Sequence, residues 1–445
     1  MYQPSTFGIG SGTEYGFTDA MGLFGYGIPN RNVNVIQELM TNNDMAYGVP
    51  YGLQKPNGFG SQSQSLYSYP PLQPGVSPTT PSISPSNSSN SGWLNIIVGP
   101  DNMLYMFPYT GGIQYIGKWN PFNNQYSELK TNINSYATNG SVLYQDGFIY
   151  SMPYNNATSV LKTDVRTGVS VVIATYPNSN GCNGAVIDPY GYIWSGMQNV
   201  NSSTVGPTWF DPRTGKFGTL SAIGSNKYGN PILAPNGKIY FVTLSGSSNT
   251  GDIVVVDTRN KTQYVISNTS LTNLITILGG SFTFSNGVVA PNGKIYLIPY
   301  GNAGYVVELD PSNDKLSAVG SYFNSGVNGR WGNGCLCPDG MIYAPPTTTN
   351  SVNGNGAILR IDWTKVTKVS SNGANGNGTS LIGTGIGGGK FGSFANNWWF
   401  DSILHQTGMY FAPNTTYSGG QVMLKMNFAG LSPNIQATLS REVNH

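Results

Sequence analysis

One short hairpin text recurs along this chain, and its spacing constrains the fold more than any other feature. "ILAPNGKIYFVTL" (232–244) returns almost unchanged as "VVAPNGKIYLIPY" (288–300). Weaker copies share the same frame, in which Pro, Asn or Asp, and Gly precede a residue and an Ile–aromatic pair. They are "GPDNMLYMFPY" at Tyr105, "YQDGFIYSMPY" at Tyr150, "DPYGYIWSGM" at Trp194, "CPDGMIYAPP" at Tyr343 and "HQTGMYFAP" at Tyr410. The first and last copies depart from the frame: Asn102 stands in place of the glycine, and Gly408 comes one residue late. The aromatics are 45, 44, 46, 56, 47 and 67 residues apart. A period near 45 residues belongs to repeat architectures.

Each copy has the chemistry of a β-turn. Pro235 and Pro291 pre-set φ, Asn236 and Asn292 tolerate unusual dihedrals, and Gly237 and Gly293 accept positive φ without a steric penalty. Apolar runs on both sides make the unit a β-hairpin. A second hairpin follows each aromatic, with turns beginning at Asn120, Asp164, Asp211, Asp257, Asp310, Asp362 and, more loosely, Asn427. Runs such as "DIVVVD" and "GYVVEL" are apolar on both faces, which suits a sheet covered on both sides. Four strands per repeat, arranged radially, make a propeller blade. The sequence therefore predicts an all-β, seven-bladed β-propeller over residues 92–445, with a last strand at "NIQATL" (434–439).

Residues 1–91 are of another kind. "FGYGIPN" and "YGVPYGLQKPNGFGSQ" are Gly/Tyr/Pro text without a period, and "SPTTPSISPSNSSNSG" (77–92) is an extended Pro/Ser spacer. One short helix is expected at 32–40. The segment reads as a low-complexity anchoring arm, disordered when free and ordered by partners, or else as a flexible leader.

Only 9% of residues are charged and the net charge is +2, against about 25% charged residues in ordinary globular proteins. That balance gives no electrostatic case for nucleic acid or an anionic membrane. No apolar run is long enough to span a bilayer, and residues 1–20 lack the pattern of a signal peptide. Cys182, Cys335 and Cys337 form no disulfide framework, and the last two read as small core residues of one strand face.

Candidate chemistry is sparse. The histidines are His405 and His445, so a nucleophile–histidine system has one credible base, beside a hairpin turn. Asp164, Asp211, Asp257 and Asp310 read as turn residues bonding their own backbone. "GTGIGGGKFG" (383–392) lacks the spacing of a phosphate loop. No metal ligand set, catalytic group or cofactor is expected. The connections at 195–206, 345–356 and 370–390 vary while the hairpin turns are stereotyped, which marks the opposite face as the binding face. Arg330, Trp331, Trp398 and Trp399 lie at or near those connections, either to stack on a ligand or to plug the blade tops. Asn95, Asn139, Asn183, Asn230, Asn286 and Asn333 each precede the repeat aromatic by 10 or 11 residues. They should ring the channel entrance, their amides satisfying crowded strand ends.

The hairpins "DPYGYIWSG" and "APNGKIYLIPY" resemble those of seven-bladed propellers of the streptogramin-lyase-like and NHL-like groups. The resemblance implies the propeller. Lyases of that kind use a catalytic histidine with metal-binding neighbours, for which no matching constellation is found. The low charge, the Asn/Gly/Ser/Tyr richness and the arm-plus-propeller layout resemble virion structural proteins of tailed phages or other large DNA viruses. These likenesses lead to an expected role as a non-enzymatic virion structural or adhesion protein. Its arm would anchor to other virion proteins, and its propeller would serve as decoration, fibre or tail component, reaching a host glycan or receptor, with a homo-oligomer possible. The alternative is a secreted or cell-surface glycan-binding propeller, or a propeller lyase.

Overall fold

In the computed structural model the described residues run from 92 to 426, apart from connections at 109–114, 134–136, 155–156, 178–180, 198–205, 222–226, 246–251, 267–273, 275–276, 278–281, 302, 324–330, 348–356, 370–375, 383–398, 406 and 414–422. The anchoring arm, the helix at 32–40, the seventh outer turn at Asn427 and the strand at 434–439 lie outside them. The described residues form seven antiparallel sheets following one another along the chain, which is the seven-bladed propeller.

Blade 1 shows the plan. Its strands Trp93–Val98, Leu104–Pro108, Tyr115–Asn120 and Gln125–Lys130 pair in sequence order. The inner two are buried on both faces, the third mostly so, and the fourth alternates. This gradient follows from radial packing: neighbouring blades converge on the axis and diverge at the rim, so only the inner strands are covered twice. Blades 2, 3, 5 and 6 repeat the four-strand order. In blade 4 the innermost strand is split into Lys227–Tyr228 and Ile232–Leu233, both paired with Lys238–Ser245. Pro231, which has no N–H to give a ladder, lies at the break. Blade 7 has three described strands, Trp399–His405, Gly408–Pro413 and Leu424–Met426.

The repeated text has a physical cause in the buried aromatic. A buried tyrosine hydroxyl must find a partner, and the hairpin turn supplies one four residues earlier. Tyr105 donates to Asp101 at 2.7 Å, Tyr150 to Asp146 at 2.8 Å and Tyr343 to Asp339 at 2.6 Å. In the Asn copies the amide donates instead, Asn292 Nδ2 to the Tyr296 oxygen at 2.9 Å, which leaves that hydroxyl to donate to Glu308 at 3.0 Å. The indole of Trp194 reaches Asp188, six residues back, at 2.7 Å. The same acid or amide also accepts the backbone N–H two residues on, for example Met103 to Asp101 and Lys294 to Asn292. One side chain thus shapes the turn and satisfies the core aromatic, so the two positions recur as a pair. The outer-hairpin Asp164, Asp211, Asp257 and Asp310 also cap their own turns through the N–H two residues on.

Candidate functional site

The axial end where each innermost strand begins carries the polar ring. Blades 1, 2, 3, 5 and 7 each have a register shift there, between the innermost strand and its neighbour. Such a bulge bends the strand and re-aims a side chain. Gly140 and Gly184, with φ of 104° and 63°, sit in this crowding, and a Cβ on Gly140 would come 2.2 Å from the Gly184 carbonyl carbon. Only glycine allows the two backbones to pass.

The ring residues link each blade to the next. Asn95 Oδ1 accepts the Ser141 N–H at 3.0 Å, Asn139 donates to Asn183 at 3.0 Å, and Asn183 donates to the Tyr228 carbonyl at 2.7 Å. The Asn230 N–H donates to the Ser285 carbonyl at 3.2 Å, and Asn286 Oδ1 accepts the Gly334 N–H at 3.3 Å. Asn333 Nδ2 donates to Asp401 Oδ1 at 3.1 Å, and Asp401 Oδ2 accepts from Asn95 Nδ2 and the Ile96 N–H, both at 3.0 Å. The circle closes through blade 7 onto blade 1.

Sequence reading missed Asp401, the seventh member of the ring. It stands nine residues before Tyr410 rather than ten or eleven, because the last copy of the repeat is out of frame. It is also an acid among amides. Burial pushes its carboxyl up to about 6, against the opposing pull of its hydrogen-bond donors. The Oδ1 atoms of Asn139 and Asn333 are buried at this end without a hydrogen-bond partner among the described residues.

Trp331 and Trp399, named as candidate stacking surfaces, are buried at 6% and 2% exposure. Trp331 donates its indole N–H to the Ala357 carbonyl at 2.9 Å and packs edge-on against Phe323. Both belong to the core shared by blades 5, 6 and 7, so they pack the blade tops and offer no open face. Arg330 and Trp398 lie outside the described residues, as does most of the variable connections.

His405 ends the innermost strand of blade 7 at the opposite axial face, beside the hairpin turns. Its Nε2–H donates to Asn102 Oδ1 of blade 1 at 3.0 Å, and its Nδ1 accepts the Thr407 N–H at 3.2 Å, which sets the tautomer. Burial, helped by the Lys425 charge, lowers its pKa to about 4, so it is neutral at pH 7. Tyr410 of blade 7 donates to the Pro121 carbonyl of blade 1 at 3.1 Å alongside it. Among the described residues no three His, Cys, Asp or Glu side chains gather into a metal-holding group. No helix there is long and apolar enough to cross a membrane.

No protein-family model and no curated protein matches this sequence. The fold has clear counterparts among solved structures. One is a catalytically inactive histidine-to-alanine variant of virginiamycin B lyase from Staphylococcus aureus with quinupristin, at TM-score 0.52 and 12% identity over 78% of this chain and 98% of that one. The selenomethionine-substituted lyase gives TM-score 0.51 and 12% identity over 77% and 96%. YCF48 bound to D1 peptide gives TM-score 0.51 and 12% identity over 82% and 100%. At such identities the likeness is one of fold, a seven-bladed propeller of the streptogramin-lyase type. It corrects the expectation of a non-enzymatic virion component. Two of these counterparts, spanning most of the propeller, are forms of a lyase, and none of the three is described as part of a virus particle. The viral reading rested on low charge, on Asn, Gly, Ser and Tyr content and on the arm-plus-propeller layout, which describe composition and architecture and carry no information about an activity.

Proposed function

We propose that this chain is a catalytic propeller of the lyase kind, acting on an uncharged substrate at the axial end bordered by the amide ring. The observation that carries the reading is Asp401: a carboxylate at the axis, held by two asparagine amides and a backbone N–H, with a pKa near 6. A base of that strength is mostly ionised at pH 7 and still takes a proton effectively. In an elimination its oxygen would take the proton from a carbon next to a carbonyl. The freed electron pair would form the new double bond, and the leaving group would depart with its own pair. Each ring amide has a second N–H to orient the substrate. The ring contains no cation, which favours an uncharged substrate. The fold shared with virginiamycin B lyase supports the reaction class.

A second reading, a glycan-binding propeller, is favoured by the ring of neutral side-chain amides at the axial end, which can exchange hydrogen bonds with sugar hydroxyls.

The test is a panel of uncharged ester-linked peptides, virginiamycin B among them, and neutral glycans, followed for binding by calorimetry and for new double-bond absorbance. Turnover lost by a factor of about 100 or more in Asp401→Asn, with substrate still bound, is the expected result. Binding without turnover in both proteins would favour the second reading. No binding and no turnover across the panel would sink both.

A further inference from the structure

The interface between blades 6 and 7 is rich in sulfur. Cys335 lies on the innermost strand of blade 6, Cys337 opens the following hairpin turn, and Met409 is on the second strand of blade 7. Cys337 Sγ is 4.0 Å from Cys335 Sγ and 3.5 Å from Met409 Sδ. All are buried, and Met341 and Met426 belong to the same core. The partners the Cys337 thiol meets are thus two sulfurs and, at 4.0 Å, the Cys335 carbonyl.

We propose that Cys335, Cys337 and Met409 form a three-sulfur site for a soft monovalent d10 cation, Cu(I) or its analogue Ag(I). Thiolate and thioether donors select soft ions of this class. A metal–thiolate bond of about 2.3 Å places the sulfurs of a three- or four-coordinate site about 3.8–4.0 Å apart. The two separations centred on Cys337, 4.0 and 3.5 Å, need adjust by only a few tenths of an ångström, and metal binding would require the Cys335 and Met409 sulfurs to reach the same spacing.

Charge selects the ion further. A monovalent cation is neutralised by one thiolate, and a neutral unit avoids the cost of burying a net charge. Binding would exchange the Cys337 proton for the metal: the S–H bond breaks, an S–M bond forms, and the proton leaves to solvent. Cys335 and Met409 would complete the coordination with lone pairs, and no electron is transferred. A structural zinc site wants four ligands, and the cluster has three. Affinity should rise with pH because a proton is released.

The test uses the full chain, refolded from urea without oxygen in the presence of Cu(I) delivered by a chromogenic chelator, then desalted. Metal content and the ultraviolet thiolate-to-copper charge-transfer band are read together. One Cu(I) per chain is expected in the native sequence and in Cys182→Ala, whose thiol lies in blade 3. Cys337→Ala should lose the metal. Met409→Leu, a volume-conserving change, should weaken retention about tenfold or more in competition with the chelator. The leucine variant also keeps the proposal testable if the alanine variant does not fold. No copper retained by the native sequence, or unchanged retention in Met409→Leu, would overturn the site. So would loss in Cys182→Ala alone.

Discussion

Acidification should pull the seam between blades 1 and 7 in opposite directions at its two ends. His405 is buried and neutral, with its pKa lowered from 6.5 to about 4. The unfolded chain therefore binds this proton at higher pH than the folded chain. Stability from this group is fully present above pH 6.5 and is lost as pH falls toward 4. At about 1.4 kcal/mol per unit, the loss by pH 4 is about 3 kcal/mol. Asp401 has the opposite sign. Its pKa is raised from 3.8 to about 6, so the folded chain takes up the proton first. Between pH 7 and pH 4 this group adds about 2 kcal/mol of stability. The two largely cancel, and the seam of the native protein should be nearly indifferent to pH across this window. Single variants should expose each half. His405→Gln keeps a donor toward Asn102 but cannot titrate, so its stability relative to the native protein should improve by about 3 kcal/mol between pH 7 and pH 4. Asp401→Asn should decline by about 2 kcal/mol over the same range. Urea unfolding of the three proteins at pH 4, 5, 6 and 7 reads this directly. Other buried acids such as Asp188 and Asp339 are common to all three and drop out of the differences. Parallel pH profiles for His405→Gln and the native protein would show that the histidine is not held neutral by the closure.

Other consequences follow from the turns and the axis. Gly293 has φ of 78° with open space where a Cβ would go, so Gly293→Val should cost about 1–3 kcal/mol from backbone strain alone; an unchanged thermal midpoint would contradict this. Gly140→Ala should cost more than Gly293→Ala, because its methyl would collide with the backbone of blade 3 as well as sit at positive φ; calorimetry that ranks them the other way would refute the crowding argument. Tyr296→Phe removes the hydroxyl shared by Asn292 and Glu308 and should lower stability by about 1–3 kcal/mol, measurable by urea unfolding.

What the sequence disclosed was whatever repeats. The Asp or Asn at the turn and the aromatic four residues later are read together because a single hydrogen bond ties them, and the tie recurs around the ring. The asparagines of the axial end were legible for the same reason, though their partners were not: Asn95 meets Ser141 and Asp401, one 46 residues ahead and the other 306. Trp331 and Trp399 gave no periodic signal, and a tryptophan near a loop has the same letters whether it stacks on a ligand or fills a core. Met409 lies 72 residues from Cys337, so no local spacing could have joined the three sulfurs.

The least regular copies of the repeat turn out to be the most informative. Blades 1 and 7 are the only neighbours that are remote in sequence, so their contact cannot be specified by residues that every blade shares. Asn102 replaces the turn glycine yet keeps its φ at 61°, a left-handed value asparagine tolerates. In exchange it presents an amide oxygen, which accepts the Nε2–H of His405 at the matching turn of the last copy. At the other axial end Asp401 replaces the ring asparagine and gathers donors from blades 6 and 1 together. Each departure from the frame is therefore one half of a closure contact, and off-consensus residues in the first and last copies point to the seam.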